Sequence, residues 1–353
     1  MIEESSNENE SSLQHADVPI SIVIAPHDND KELEENLPVL LNQEYKGEYR
    51  VIVIAEKGDA LTENVLKRLK GNEHLYVSFI PQSSRYMSRR KLAITLGVKA
   101  AKTEWVILTD ATCRPDSNHW LSSMASHISD NTSMVIGYSN YADDSRQYQR
   151  FERVQMAYYL FREDLKGNPY RTQGRNIAFR KSKFIEQEGF RGSLQDIRGE
   201  YDFLVNKYAV QGECAIAVEP DAWLTEQKPT KKEWLNRHLY YISTRRLLSR
   251  GGWHKALVRF DTFTLHANYL LIIASMVFAG LTERWILLGS SVLALLITII
   301  MRTIFANKAL KFFDAKISVW RIIFYEIGVY LHRVSYVMHY KCADKNDFTS
   351  HKL

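Results

Sequence analysis

The feature that most restricts this chain is a pair of apolar stretches separated by three residues. Phe263 to Leu281 is long enough to cross a bilayer, with His266 and Asn268 as polar interruptions near its start, and Trp285 to Met301 carries no acidic or basic residue before its end. A spanning helix needs roughly 20 mainly apolar residues, and about 17 is the short limit. Thr282, Glu283 and Arg284 allow only a tight reversal, so the pair reads as a membrane hairpin. The competing reading is a buried helical pair in a soluble protein.

The charge of the chain fits the membrane reading. The formal net charge is +5, and much of it flanks the apolar pair: Arg245, Arg246, Arg250, Lys255 and Arg259 precede it, while Arg302, Lys308, Lys311 and Lys316 follow it. Basic residues placed this way call for anionic lipid headgroups and no nucleic acid. Because Lys and Arg are retained on the cytoplasmic side, both flanks and the domain before Arg245 are expected at the cytoplasmic face of the inner membrane. Ile317 to Met338 mixes Trp320, Ile323, Phe324, Ile327 and Leu331 with Arg321, Glu326, His332 and Arg333. It predicts an interfacial helix, with a third crossing as the rival; Glu326 and Arg333 could pair across two turns or meet partners elsewhere.

The remaining organisation is expected as an acidic disordered tail over 1–18, a sheet domain over 19–250, the membrane part over 251–340 and a polar tail over 341–353. The opening residues lack the basic start and apolar core of a secretory signal. Cys113, Cys214 and Cys342 match no metal-ligand spacing or disulfide framework.

Within the sheet domain, Pro19 to Ala25 and Tyr49 to Ala55 are strand-like, and Leu33, Leu37, Leu40 and Leu41 recur between them at helical spacing, with Asp30 as a plausible cap and Pro38 as a possible kink. Leu75 to Ile80 is a further strand, a basic helix follows, and Trp105 to Leu108 is the next strand. Ser117 is placed to cap a helix through Trp120 and Met124, Met134 to Gly137 is a short strand, and Phe151 to Phe161 is helical. From Thr172 the text turns irregular, before a helix that begins at the acids of RGEYDFLVNKYA. This alternation argues for a mainly parallel, doubly wound α/β sheet, whose ligands sit beyond the carboxyl ends of its strands.

Asp110 falls at such an end. A carboxylate there suits magnesium or manganese with a phosphorylated ligand, or alternatively fixes a loop. Arg85, Arg89, Arg90 and Lys91 lie close enough in sequence for some to meet a diphosphate while others face water. Glu200 and Asp202 are the best pair for general base work, although acids at a helix start also serve as caps. Trp234, Arg237 and His238 precede the membrane part, where they either cover a site or rest on headgroups. No clustered His and Cys residues suggest zinc.

Four segments in order, ISIVIAPHDNDKELEENLPVLLNQEY, RRKLAITLGVKAAKTEWVILTDATCRPDSNHWL, QGRNIAFRKSKF and GEYDFLVN, resemble the membrane-associated family 2 glycosyltransferases of the inverting GT-A type. The likeness covers about residues 19 to 245 and continues into the hairpin. It implies a nucleotide-diphosphate sugar donor, a divalent metal (magnesium or manganese) and a lipid-linked or cell-envelope glycan acceptor. It places the metal and diphosphate motif at Asp110 and Thr112, the nucleotide-contacting acid at Glu56, and the first-strand loop at Pro26, His27 and Asp28. It assigns Lys91 to the basic residue opening the third-strand helix, Asn176 to an acceptor-side GxN segment, Asp202 to the base with Glu200 as rival, and Arg237 to a pre-membrane clamp.

Thr112 stands where a carboxylate is usual, Ala55 lacks a polar group, and the pre-membrane motif is poorly kept around Arg237 to Tyr241. Two functions follow: an active sugar transferase, or a catalytically weak or inactive relative that serves as a membrane-bound binding or assembly partner, with a membrane biosynthetic complex as a partner. A nucleotidyltransferase is disfavoured, because APHDNDKE offers neither glycine nor an early arginine after the first strand.

Overall fold

The computed structural model describes residues 17–81 and 88–348. Arg85 and most of the acidic tail therefore lie outside the described residues, as do the last five positions.

Short apolar runs build the sheet because each can be buried on both faces. β1 (Ile20–Ile24), β2 (Tyr49–Glu56), β3 (Leu75–Ile80) and β4 (Trp105–Thr109) are mutually parallel in the order β3-β2-β1-β4. The helices α1 (Asp30–Leu41), α2 (Ala60–Leu69) and α3 (Arg89–Ala100) are the crossovers. β5 (Cys113–Pro115), α4 (Trp120–Ser126), β6 (Met134–Gly137), β7 (Ser139–Tyr141) and α5 (Gln147–Asp164) follow. Then come β8 (Ile177–Arg180), α6 (Lys181–Glu186), α7 (Glu200–Tyr208), β9 (Cys214–Ala217), β10 (Leu224–Glu226) and α8 (Lys231–Thr244).

β8 extends the main sheet beyond β4, antiparallel to it, and β6 and β9 complete seven strands. A second sheet, β5-β10-β7, stands beside the end of β4. One core lies on the face of Val23, Ile52, Ile54, Val106 and Leu108; the other holds Ile22, Ile24, Val51, Val53 and Ile107. Gly97 permits the close approach of α3 to β1, since a Cβ there would sit 2.5 Å from Val23 Cγ1.

Several local expectations need correction. Asn29, and not Asp30, occupies the cap position of α1, which runs on through Pro38. α4 begins at Trp120 after His119, while Ser117 fastens the preceding turn by accepting from the His119 N–H at 3.1 Å. The irregular-looking segment after Thr172 contains β8 and α6: three apolar residues suffice for a strand whose neighbours on both sides bury it.

α9 (Gly252–Leu281) and α10 (Trp285–Phe312) form the hairpin, with mean hydropathies of 1.6 and 2.1 over their most apolar windows. They are long and apolar enough to cross a membrane, and both extend past the apolar stretches into their basic flanks. Leu271, Val277, Phe278, Ile286, Leu293 and Ile300 are exposed on them. Ser275 and Ser291 hydrogen-bond between the two helices at 2.8 Å. α11 (Ile322–Cys342) packs on α8, α5 and α10 and leaves Phe324, Leu331 and Met338 exposed. Glu326 pairs with Arg302 of α10, so of the two arrangements open to it in the sequence, the partner is elsewhere and is not Arg333.

Candidate functional site

β4 lies between β1 and β8, so the residue that follows its last position, Thr109, emerges in the crevice at the strand end. That residue is Asp110, whose side chain is 2% exposed. The β4–β8 register pairs Leu108 with Ile177. Continued by two residues, it sets Arg175 opposite Asp110. Arg175 Nη1 lies 3.3 Å from Asp110 Oδ1 and donates to Thr112 Oγ1 at 2.6 Å. Thr112 in turn donates to Asp110 Oδ1 from its backbone N–H and its hydroxyl, each at 3.1 Å. The other carboxylate oxygen is taken by Arg90, which also pairs with Glu200.

Three consecutive residues at the start of α3 thus reach three places. Successive helical positions are about 100° apart, so they cannot share a target. Arg89 pairs with Glu56 at 2.9 Å, Arg90 turns to Asp110 and Glu200, and Lys91 enters the protein. The Lys91 ammonium donates to the Ser193 and Asp196 carbonyls at 2.6 and 2.7 Å, and Ser88 donates to the Ile197 carbonyl at 2.9 Å. Lys91 and Ser88 therefore strap the 193–197 loop to α3, and that loop delivers Arg198 and Glu200. Burial, partly offset by Glu200 and Asp196, pulls the Lys91 pKa down to about 8.

Glu200 opens α7 after Gly199, which has φ +90 and space for no side chain: a Cβ would lie 2.9 Å from Thr244. Burial alone would raise the pKa values of both Asp110 and Glu200, making them weaker acids. The guanidiniums of Arg175 and Arg90 hold Asp110 well below the usual carboxylate range, and Arg90 with Arg198 lowers Glu200. Asp202 faces a different spot. It is 3.4 Å from Arg171 Nε, accepts from the Thr172 N–H at 3.3 Å, and is raised by burial against the pull of Arg171.

The other sequence candidates take separate positions. Glu56, at the end of β2, lies 2.9 Å from His27 Nδ1, beside buried Pro26 and exposed Asp28, whose φ is 55. Asn176 is fully buried and donates to the Tyr138 and Ala222 carbonyls at 3.1 and 2.8 Å, joining β8 to the strands around it. Arg237 of α8 lies 3.1 Å from Glu226 of β10, which also pairs with Arg153 at 2.9 Å. Both guanidiniums stand over the Tyr141 ring. His238 stacks on Tyr336 of α11, which docks the pre-membrane helix onto that element.

Sequence reasoning missed Arg175, Arg198, Arg153 and Glu226, and gave Arg90 no role of its own. The available signal for Arg175 was its place two residues before an apolar triplet able to pair with β4.

Residues 3–331 match the sequence model of glycosyl transferase family 21. The chain belongs to that family. The match bears out the expectation of a GT-A-fold glycosyltransferase with membrane-spanning helices. Among solved structures, the family 21 chain is similar to the mannosyltransferase PcManGT from Pyrobaculum calidifontis in complex with GDP-Man and Mn2+. The identity is 15% and the TM-score 0.51, covering 79% of this chain and 86% of that one. It is also similar to TarS 1-349 from S. aureus in complex with UDP-GlcNAc, at 14% identity and TM-score 0.45, covering 61% and 60%. At this identity the likeness to the Pyrobaculum enzyme concerns the fold alone. No curated protein sequence matches the chain.

Proposed function

We propose that this family 21 chain transfers a sugar, with inversion, from a nucleotide-diphosphate sugar to a lipid-linked or cell-envelope glycan acceptor at the cytoplasmic membrane face. The observation that carries the reading is the set of guanidiniums around Asp110 at the carboxyl end of β4, where a doubly wound sheet holds its ligand. Glu56, with Pro26 and Asp28 nearby, lines the nucleotide end. The hairpin supports membrane lipids as surroundings and a membrane-held acceptor, its basic flanks support the cytoplasmic orientation, and α11 would lie at the interface with its exposed apolar face toward lipid.

In the displacement, the acceptor oxygen attacks the anomeric carbon and loses its proton to a carboxylate. The bond to the diphosphate breaks, and the nucleoside diphosphate leaves with the electron pair. Glu200 is the better placed base, because Arg90 ties it to Asp110, whereas Asp202 is held by Arg171 and Thr172. Cations fixed against the leaving phosphates lower the barrier most when they are already in position.

A divalent cation is the family expectation, and the Pyrobaculum enzyme is in complex with Mn2+. The donor set here does not fit a resident ion. Both Asp110 oxygens are engaged, the Thr112 hydroxyl accepts from Arg175, and no group of three His, Cys, Asp or Glu side chains comes together among the described residues. The Thr112 departure also favours a second reading, a catalytically weak relative with a binding role in a membrane complex.

The test is turnover by the full chain in detergent with a panel of GDP- and UDP-sugars and membrane-lipid acceptors. Release of nucleoside diphosphate together with a glycosylated product of opposite anomeric configuration is expected. Release no greater than that of heat-inactivated protein would favour the second reading, and a retained configuration would remove the single displacement.

A further inference from the structure

Three separate elements deliver guanidiniums to one carboxylate-lined place: Arg90 from the start of α3, Arg175 from the approach to β8, and Arg198 from the strapped loop before α7. Two of them are occupied by protein acids. Arg90 bridges Asp110 and Glu200, and Arg175 touches Asp110 and Thr112. Arg198 is different. It makes no hydrogen bond or ion pair among the described residues, although it is half-buried and feels Arg90 and Arg175 as like charges and Glu200 and Asp110 as opposite ones, both of which Arg90 already engages.

Like charges gathered by three elements repel one another, and two carboxylates leave one of the three guanidiniums without a counter-charge. A partner with at least two anionic oxygen groups completes the balance, and guanidinium forks match phosphate oxygens bidentately. Resting on the sugar-transfer reading, we infer that Arg90, Arg175 and Arg198 form the cradle for the donor diphosphate and supply the neutralisation that a divalent ion supplies elsewhere in this fold. Asp110 and Glu200 hold the cradle open in the absence of donor. When the diphosphate enters, Arg90, Arg175 and Arg198 turn to its oxygens, and Glu200, freed from Arg90, faces the acceptor hydroxyl. Donor affinity is then independent of divalent metal.

The experiment is titration calorimetry of the full chain in detergent with UDP, GDP and inorganic pyrophosphate, in chelator and in manganese. At least one nucleoside diphosphate is expected to bind with affinities within about threefold in the two buffers. Arg198→Gln removes a charged donor that has no hydrogen-bond or ion-pair partner among the described residues, so it should melt like the parent and weaken binding about tenfold in both buffers, with Arg198→Lys recovering part of the loss. Asp110→Asn should retain binding in chelator. Binding that appears only with manganese and disappears in Asp110→Asn, or full affinity in Arg198→Gln, overturns the cradle while leaving sugar transfer standing. Absence of nucleoside diphosphate binding in both buffers contradicts the transfer reading itself and the cradle with it.

Discussion

Arg175 donates to the hydroxyl of Thr112 at 2.6 Å, at the position where the family resemblance expects a second carboxylate. A neutral acceptor adds no second counter-charge there, so Arg175 shares only Asp110, which Arg90 also engages. Thr112→Asp should therefore consume the Arg175 charge and place two carboxylates side by side, a donor set suited to a hard divalent ion. Donor affinity in chelator is expected to fall about tenfold, and manganese should restore it. Calorimetry in the two buffers checks this; unchanged affinity in chelator would remove Arg175 from phosphate binding.

The two acids of α7 should separate in kinetics. Glu200→Gln keeps the volume at the Arg90 contact and removes the proton acceptor, so kcat should fall about 10²- to 10⁴-fold. Asp202→Asn, acting at the Arg171 contact, should cost less than about tenfold. Initial rates with matched thermal melts distinguish loss of the base from loss of folding. The reverse order of effects would assign the base to Asp202.

What was legible in the sequence was what buries or repeats. The Trp105–Thr109 run ending in Asp110 and the two apolar helices declare themselves through contiguous apolar residues. The cradle does not, because it depends on register and on which way consecutive side chains leave a helix. Nothing in the order Arg89, Arg90, Lys91 says which one turns to the strand end and which straps a loop. Arg175 becomes a neighbour of Asp110 only once β8 is known to pair antiparallel with β4, and Arg198 only once Lys91 has fixed the 193–197 loop.

Glu152 of α5 gives the fold a pH dependence. Burial raises its carboxyl from 4.5 to about 7, against the opposing charges of Arg333 and Arg153. Between those values the native state holds a proton that the unfolded chain has released, so stability falls as pH rises through this window and the loss is complete above it. The full penalty is about 3 kcal/mol. Glu152→Gln should raise the melting temperature most on the alkaline side and flatten the profile, read from thermal melts in detergent between the two values and above them.

Arg302 and Glu326 join α10 to α11 through two contacts, one of them Nε to Oε2 at 3.1 Å, with 30% and 8% of the side chains exposed. Removing one partner leaves the other charge poorly solvated, whereas removing both does not. Glu326→Gln should cost about 1–3 kcal/mol, scaled down for the partial exposure of Arg302. Combining Arg302→Leu with Glu326→Leu should recover most of it. A double-mutant cycle by thermal unfolding measures the coupling.

The most direct measurement is a structure of the full chain with an intact nucleotide-diphosphate sugar. The two phosphates are expected within hydrogen-bonding distance of Arg175 and Arg198 at the end of β4, and the Glu200 carboxylate on the face of the anomeric carbon opposite the leaving oxygen. Phosphates seated away from that strand end, or a carboxylate other than Glu200 facing the anomeric carbon, would contradict that arrangement.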